Sequence, residues 1–298
     1  MFQKAFLACC FPLAAAMMLT AAEPTAPVRS NLSAAAIVDK NVAARGGLQA
    51  WRAVHSMSLS GKLGAGGNQR AALSVPGSNP KAIKEAMMAR LKEEVYLPFV
   101  MDLERPHKMR FELQFKGETA VQVFDGANGW KYRPFLNRRT VEPYTPEELK
   151  MSSMQADLDG PLVDYVAKGS RVDLDGIEKV NGRDNYKLKL TYKNGQTTHV
   201  WIDAQTFLET KIGGQPRRLD GTLHPVETYF SDYREVDGLQ IPFLLETKVL
   251  GVGLNSLGLQ DTPVPGEKTV LEKVVINPKL ADSLFTKPDG IQVASNAR

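Results

Sequence analysis

The sequence predicts a mainly β protein with helical inserts (α+β), built on one large antiparallel sheet that is half-wrapped or closed. Three observations predict it. Apolar and polar residues alternate over many short segments, as where Phe111, Leu113 and Phe115 interleave with Arg110, Glu112 and Gln114. Turn pairs such as Lys116-Gly117, Asn194-Gly195 and Asp237-Gly238 join these segments directly. No regular strand–helix–strand alternation interrupts the order. The 298 residues, 43% of them hydrophobic, suffice for one large core.

The chain opens with Lys4, an apolar run from Ala5 to Leu19 and then small residues, Thr20 and Ala22 standing just before Glu23. That is the layout of a cleavable export signal over residues 1–22, and the run is shorter than the ~20 apolar residues of a membrane span. Cys9 and Cys10 both lie inside it, so the mature chain is expected to rely on packing rather than disulfides. A leader at 23–30 and a flexible tail at 291–298 are expected to flank a single domain at 31–290.

Within that domain Asn31 or Ser33 can cap a helix over Ala34–Ala44, whose Ala34, Ile37, Val38 and Val42 recur at helical spacing. Gly46-Gly47 breaks it, and Leu48, Trp51 and Val54 resume the spacing in a second short piece. Met57, Leu59 and Leu63 then suggest a first strand. Period-two segments dominate from residue 97 onward, with strands expected at 119–124, 186–192, 198–202, 207–212, 227–236, 239–249 and 269–276. The full pattern amounts to about eleven or twelve strands. Two helical inserts, at 64–94 and 145–168, break the meander. In the first, Asn79-Pro80 is a helix start and Ile83, Met87, Leu91 and Val95 form a stripe four residues apart. In the second, Thr145-Pro146-Glu147-Glu148 is a capping signal ahead of Leu149, Met151, Met154, Leu158 and Leu162. The Gly- and Leu-rich stretch 251–265 reads as an apolar loop.

The charge balance, Lys+Arg 37 against Asp+Glu 33, gives only +4 with no dense basic run, which argues against nucleic acid as a partner. No nucleophile motif, zinc motif or phosphate loop is present, and His55, His107, His199 and His224 are scattered singly. Two Asp-x-Asp-Gly pieces begin at Asp157 and Asp173. A calcium loop starting at either would need a glutamate where Lys168 or Asp184 stands, so turn and cap roles fit better. No enzyme activity, cofactor or metal is therefore expected. What remains is an apolar inventory: methionines in both inserts (Met87, Met88, Met151, Met154) and aromatics at Trp130, Tyr132 and Phe135. These suit ordinary helix cores, or a surface that accepts flexible chains.

Phe124-Asp125-Gly126 followed by Trp130-Lys131-Tyr132-Arg133-Pro134-Phe135 resembles a strand–turn–strand stretch of the LolA/LolB-like outer-membrane lipoprotein-sorting proteins. Similar in the same order are Val180-Asn181-Gly182-Arg183, Val200-Trp201-Ile202-Asp203, and Tyr233 through Pro242, with Asn277-Pro278 near the end. The likeness covers about residues 34–290, and the 64–94 insert departs from the compact carriers of that family. The resemblance implies a half-barrel, or β-clam, with helices over its concave apolar face. It further implies a monomeric periplasmic carrier of lipoprotein acyl chains or other lipids, with inner- or outer-membrane transport proteins as partners. A lipid-sensing module that signals to a membrane protein is the alternative. In either case Trp130, Tyr132, Phe135, Met151, Met154, Leu158, Leu162, Met87 and Leu91 are the expected cavity residues. Export makes a direct expectation: N-terminal sequencing of the periplasmic protein should read from Glu23, within a few residues. An intact Met1 in membrane pellets would overturn it.

Overall fold

A computed structural model describes residues 31–65, 79, 81–83, 85–86, 89, 95–136, 138–219, 221–251 and 266–288. The expected export signal, the leader, the 291–298 tail, the 251–265 loop beyond Gly251 and most of the 64–94 insert, with Met87 and Leu91, lie outside these residues. At the start of that insert Asn79 caps as expected, its Oδ1 accepting from the Lys81 amide at 3.0 Å. Val95 does not extend the helical stripe; it opens a strand.

Helix α1 (Ala34–Ala44) is capped by Ser33, whose hydroxyl accepts from the Ala36 amide at 3.2 Å. It ends at Gly46 and Gly47, both at positive φ; a Cβ at Gly46 would run into the Gly238 carbonyl, so the tight approach of this turn to the sheet requires glycine. A short helix, α2 (Leu48–Arg52), follows and buries Trp51. The strands are β1 (Ser56–Ala65), β2 (Val95–Glu104), β3 (Lys108–Phe115), β4 (Glu118–Phe124), β5 (Gly129–Arg133) and β6 (Arg138–Pro143). Helix α3 (Pro146–Gln155) intervenes before β7 (Arg171–Val180), β8 (Arg183–Thr191), β9 (Thr197–Asp203) and β10 (Glu209–Leu219). Then come β11 (Thr222–Val236), β12 (Leu239–Val249) and β13 (Glu267–Ile276), with a 3-10 turn at Asp282–Phe285.

All thirteen described strands form one antiparallel sheet in the order β6-β5-β4-β3-β2-β1-β13-β12-β11-β10-β9-β8-β7. Strand β13 sits at the centre, pairing with β1 on one side and β12 on the other, and β1 pairs in turn with β2. The two edges, β6 and β7, are consecutive in sequence, so residues 144–170 have to cross the whole width of the sheet. Flat, β4 and β9 would stand eight strand spacings, about 38 Å, apart. Both nevertheless line one cavity, through Gln122 and Val200, so the sheet is strongly curled. The half-barrel expectation holds: a large antiparallel open sheet with few helices.

The core lies on the concave side. Ile37, Val38 and Val42 of α1 pack with Trp51, Leu188, Ile202 and Leu239. Asn41 ties α1 to the β9–β10 turn by donating to the Phe207 carbonyl at 2.8 Å. On the convex side the terminal 3-10 turn buries Phe285 over β3 and β4, and Arg110 donates to the Leu284 carbonyl at 3.1 Å.

Two strands escaped the sequence reading, β6 and β7, and both are edges. In β6 the charges Arg138, Arg139 and Glu142 leave no alternation to read. In β7 Val172 and Leu174 do alternate with Arg171, Asp173 and Asp175, but Asp173–Gly176 reads as a turn piece in sequence, whereas the structure places it within the strand. The second insert is also shorter than expected. Thr145 and Glu148 form the capping box, at 3.3 and 2.8 Å, but the helix stops at Gln155. Beyond it Gly160, Asp164 and Gly169 take positive φ, which no helix tolerates, so 156–170 is a chain of turns. Where the crossing segment 144–170, the strap, leaves β6, Tyr144 lies against Gly129, and a Cβ there would enter its ring. Gly129→Ala should lower stability by about 1–3 kcal/mol by overpacking, read as a shifted midpoint in chemical denaturation with unchanged slope.

Candidate ligand cavity

The concave face encloses a cavity of about 710 Å³. Its wall follows from strand register. Leu59 pairs with Met101, Met101 with Phe111, and Phe111 with Gln122, a row of four side chains across β1 to β4, all on the cavity. The next row outward includes Phe99, whose ring stacks on Phe111 at 5.8 Å. The opposite flank contributes Ile212, Phe230, Ile241, Leu245 and Leu271 from β10 to β13. Leu59, Met101, Phe111, Ile212 and Leu245 are only half-buried although they face inward, because they look into the void.

The two ends of the cavity differ. At one, Thr228, Thr247 and Thr269 line it, with the Thr228 and Thr247 hydroxyls 3.1 Å apart. This is the end where β1 leaves at Ala65 and β12 at Val249, toward the residues not described. At the other end the cavity meets a cluster of charges around Arg45, which lies beside the start of β12, its carbonyl accepting from the Gln240 amide at 3.1 Å.

Arg45 follows α1 directly and is 7% exposed. Its Nη1 donates to Glu209 Oε1 at 3.3 Å and to the Asp159 carbonyl at 3.1 Å. The guanidinium lies 4.3 Å from the Trp51 ring centroid, and the Trp51 indole donates back to the Arg45 carbonyl at 3.1 Å. Its Nε, by contrast, is buried and has no hydrogen-bond partner among the described residues. An orphaned buried donor of this kind costs about 1–3 kcal/mol.

The strap residues 155–161 close this end. Gln155, Asp157, Leu158, Gly160 and Pro161 all line the cavity. Lys168 fastens them, donating to both Asp157 oxygens at 2.8 Å, to Asp159 at 3.1 Å and to the Gly160 carbonyl at 2.7 Å. Arg105 holds the far side, donating to Asp159 at 2.9 Å and to the Trp51 and Val54 carbonyls at 3.0 and 2.7 Å. Burial, reinforced by a hydrogen bond to Asp159, pushes the Asp157 carboxyl up to about 6. Burial also works against the Asp159 carboxylate, but hydrogen bonds from Asp157, Arg105 and Lys168 outweigh it and hold it down at about 2. The Asp-x-Asp-Gly piece at Asp157 is thus engaged in ion pairs that pin the strap, while Asp173 and Asp175 lie on β7.

The residues expected from sequence fall in several places. Leu158 lines the cavity, and Leu162 is fully buried in the core beside it. Trp130 and Tyr132 do not line it: Gln122 pairs with Lys131, so their alternation sends Trp130 and Tyr132 to the convex face with Val123 and Val121. Phe135 sits in a 3-10 turn with its ring edge-on to Phe115 at 5.6 Å. Met151 is 47% exposed and Met154 half-buried, because α3 turns Leu149 and Ser152 inward instead, with Ala156 buried just after its end. Met87 and Leu91 lie outside the described residues. Sequence reasoning missed the strand-borne wall, although the alternation of Leu59 and Phe111 carried its signal. It also missed Arg45, Trp51 and Glu209, which only the tertiary fold brings together.

No family model and no curated protein matches the sequence. Among solved structures, the chain is similar to a LolA superfamily protein from Nitrosomonas europaea at 13% identity and a TM-score of 0.50, covering 86% of this chain and 98% of that one. It is also similar to a DUF1329 family protein from Desulfovibrio piger, at 15% identity and a TM-score of 0.49, covering 85% and 97%. At such identities the likeness is one of fold, and the fold is LolA-like.

The Asp157 carboxyl sets a pH dependence. Its folded value, about 6, lies above the ordinary 3.8, so between these the folded chain holds a proton that the unfolded chain has released. Its contribution to stability is therefore greatest below about pH 4 and falls as pH rises through 6. Relative to Asp157→Asn, the wild type should lose about 2–3 kcal/mol across that window and stay level above it, read by urea denaturation at successive pH values.

Proposed function

We propose that this LolA-like chain is a monomeric periplasmic carrier that holds acyl chains of lipoproteins or other lipids in its cavity, receiving and delivering them at membrane transport proteins. The observation that carries this reading is the apolar void itself. Side chains from nine strands face it, and several of them leave apolar surface uncovered inside the protein. Such a lining favours a flexible hydrocarbon occupant. The expected export signal at 1–22 supports the compartment.

Burying one acyl methylene contributes ~0.8 kcal/mol, so a 16-carbon chain could gain roughly 12 kcal/mol at full burial. A carrier has to release what it binds, and partial burial is one way to keep the affinity reversible. Here the wall is completed by the 155–161 strap, which is held by side-chain ion pairs rather than by sheet hydrogen bonds. Loss of those contacts on opening would offset part of the gain.

Delipidated protein should bind palmitate at micromolar concentration or tighter, measured by calorimetry, and native mass spectrometry of freshly purified protein should show bound lipid. Trp51 lines the cavity, so ligand should change the tryptophan emission of the wild type and of Trp130→Phe, but not that of Trp51→Phe. Met101→Glu places a charge in the half-buried row and should weaken binding by about ten-fold or more, with thermal unfolding run on the same sample. No binding by any of these would overturn the carrier reading.

A further inference from the structure

We propose that Gln122 reads the acyl carbonyl of the cargo: its side-chain amide donates to that oxygen, so the cavity selects ester- or amide-linked acyl chains over alkyl chains that lack the carbonyl. The proposal rests on the acyl-carrier reading and adds to it the group by which the cargo is recognised.

Strand β4 turns Ala120, Gln122 and Phe124 to the concave side, and the first and last of these are buried. Gln122 stands between them where the alternation calls for an apolar side chain, at the end of the row made by Leu59, Met101 and Phe111. Its amide makes no hydrogen bond among the described residues. Neither amide atom is buried, and the residue lines the cavity, so its inward parity aims both atoms at the void rather than at packed side chains. The polar groups beside it are engaged with one another. Lys131 spends its ammonium on both Glu148 oxygens at 2.7 and 2.6 Å, and Glu148 also accepts from Arg133 and from the Thr145 amide. Elsewhere on the lining Arg45, Asp157 and Glu209 are ion-paired, and the Thr228 and Thr247 hydroxyls bond to each other. A hydrocarbon packed over Gln122 would strip its water and leave the amide unpaired, whereas a ligand acceptor restores the bond.

An acyl carbonyl is the complement of that amide. It is neutral, so it asks no counter-ion of a cavity whose lining arginine, Arg45, is already paired with Glu209. It accepts from Gln122 Nε2 while the hydrocarbon attached to it continues across the sheet. From Gln122 that tail passes Phe111, Met101 and Leu59, three strand spacings or about 14 Å, with Leu271 of β13 beyond. On the other side of the carbonyl, α3 packs against β4 and β5, and its last residue, Gln155, is exposed and lines the cavity. The polar head of the cargo has a hydrated side to leave by.

The test uses two lipids that differ in the carbonyl alone. 1-Monopalmitoylglycerol and 1-O-hexadecylglycerol share chain length and head, but the second has an ether where the first has an ester. On delipidated full-length mature protein, by calorimetry, the ester should bind about three- to ten-fold tighter, the worth of one net hydrogen bond. The preference should vanish in Gln122→Met, which keeps the unbranched side chain without its amide, and in Gln122→Leu, with thermal unfolding run on both to confirm the fold. N-palmitoylethanolamine forms a third arm: Gln122-dependent binding supports the reading of amide-linked chains, and its absence overturns that half of the proposal. Equal binding of ester and ether by the wild type, or a preference that survives both substitutions, would overturn the role of Gln122 while leaving the carrier intact. Binding of neither glycerolipid would instead overturn the carrier reading beneath it.

Discussion

The two outermost strands of the sheet follow one another in the chain, and the rest of the architecture answers to that constraint. A connection from β6 to β7 has to bridge the full width of a thirteen-stranded sheet, and it does so over the concave side. Each stage of the crossing is fastened. Tyr144 packs on Gly129 at the departure, and the capping box fixes the entry of α3. Lys131 reaches from β5 to both Glu148 oxygens at 2.7 and 2.6 Å, tying the helix to the sheet it has just left. At the far side Lys168 gathers three acceptor residues before the chain enters β7. The strap both spans the clam and supplies one wall of its interior.

That interior combines two environments that ordinarily exclude each other. Rows of Leu, Met and Phe set by strand register make an apolar surface, and a compact set of ion pairs stands at one end of it. Buried ion pairs contribute little net stability, since the desolvation penalty offsets their attraction, but they are exacting about geometry. Here they fix where the strap lies and hold the Arg45 guanidinium over the Trp51 ring. The ion pairs of Asp157 and Asp159 hold the 155–161 turns beside the cavity they line.

How much of this was legible in the sequence depended on position in the sheet. Central strands such as β3 and β12 announced themselves by clean alternation, because one face meets the core and the other solvent. The edges did not: β6 carries charges without alternation, and the Asp-x-Asp-Gly of β7 imitates a turn although Val172 and Leu174 keep the inward parity. The cavity was half legible. Phe111 and Leu59 show their inward parity in sequence, yet the register that brings Leu59, Met101 and Phe111 into one row depends on strand pairing. Trp130 misled because an aromatic cluster says nothing about which face it occupies, and Lys131, a lysine, takes the inward position to meet Glu148. Arg45 and Glu209 are 164 positions apart, and no local pattern links them.

The seam between β1 and β13 has a consequence for how the molecule is made. Met57 pairs with Ile276 and Leu59 with Val274, so the centre of the sheet joins the first strand to the last. Asn277 clamps the join, its side chain accepting from the His55 amide at 2.6 Å and donating to the Ala53 carbonyl at 3.2 Å. During synthesis one border of β1 therefore stays open until nearly the whole polypeptide exists, and closure needs an encounter between opposite ends of the chain. Such high contact order places folding in a slow regime and leaves an adhesive edge uncovered in the meantime. A newborn chain of this topology depends on protection from aggregation for longer than a helical bundle of equal length. The same closeness of the domain's two ends makes a circularly permuted form, opened at a surface turn such as Asn194-Gly195, sterically reasonable.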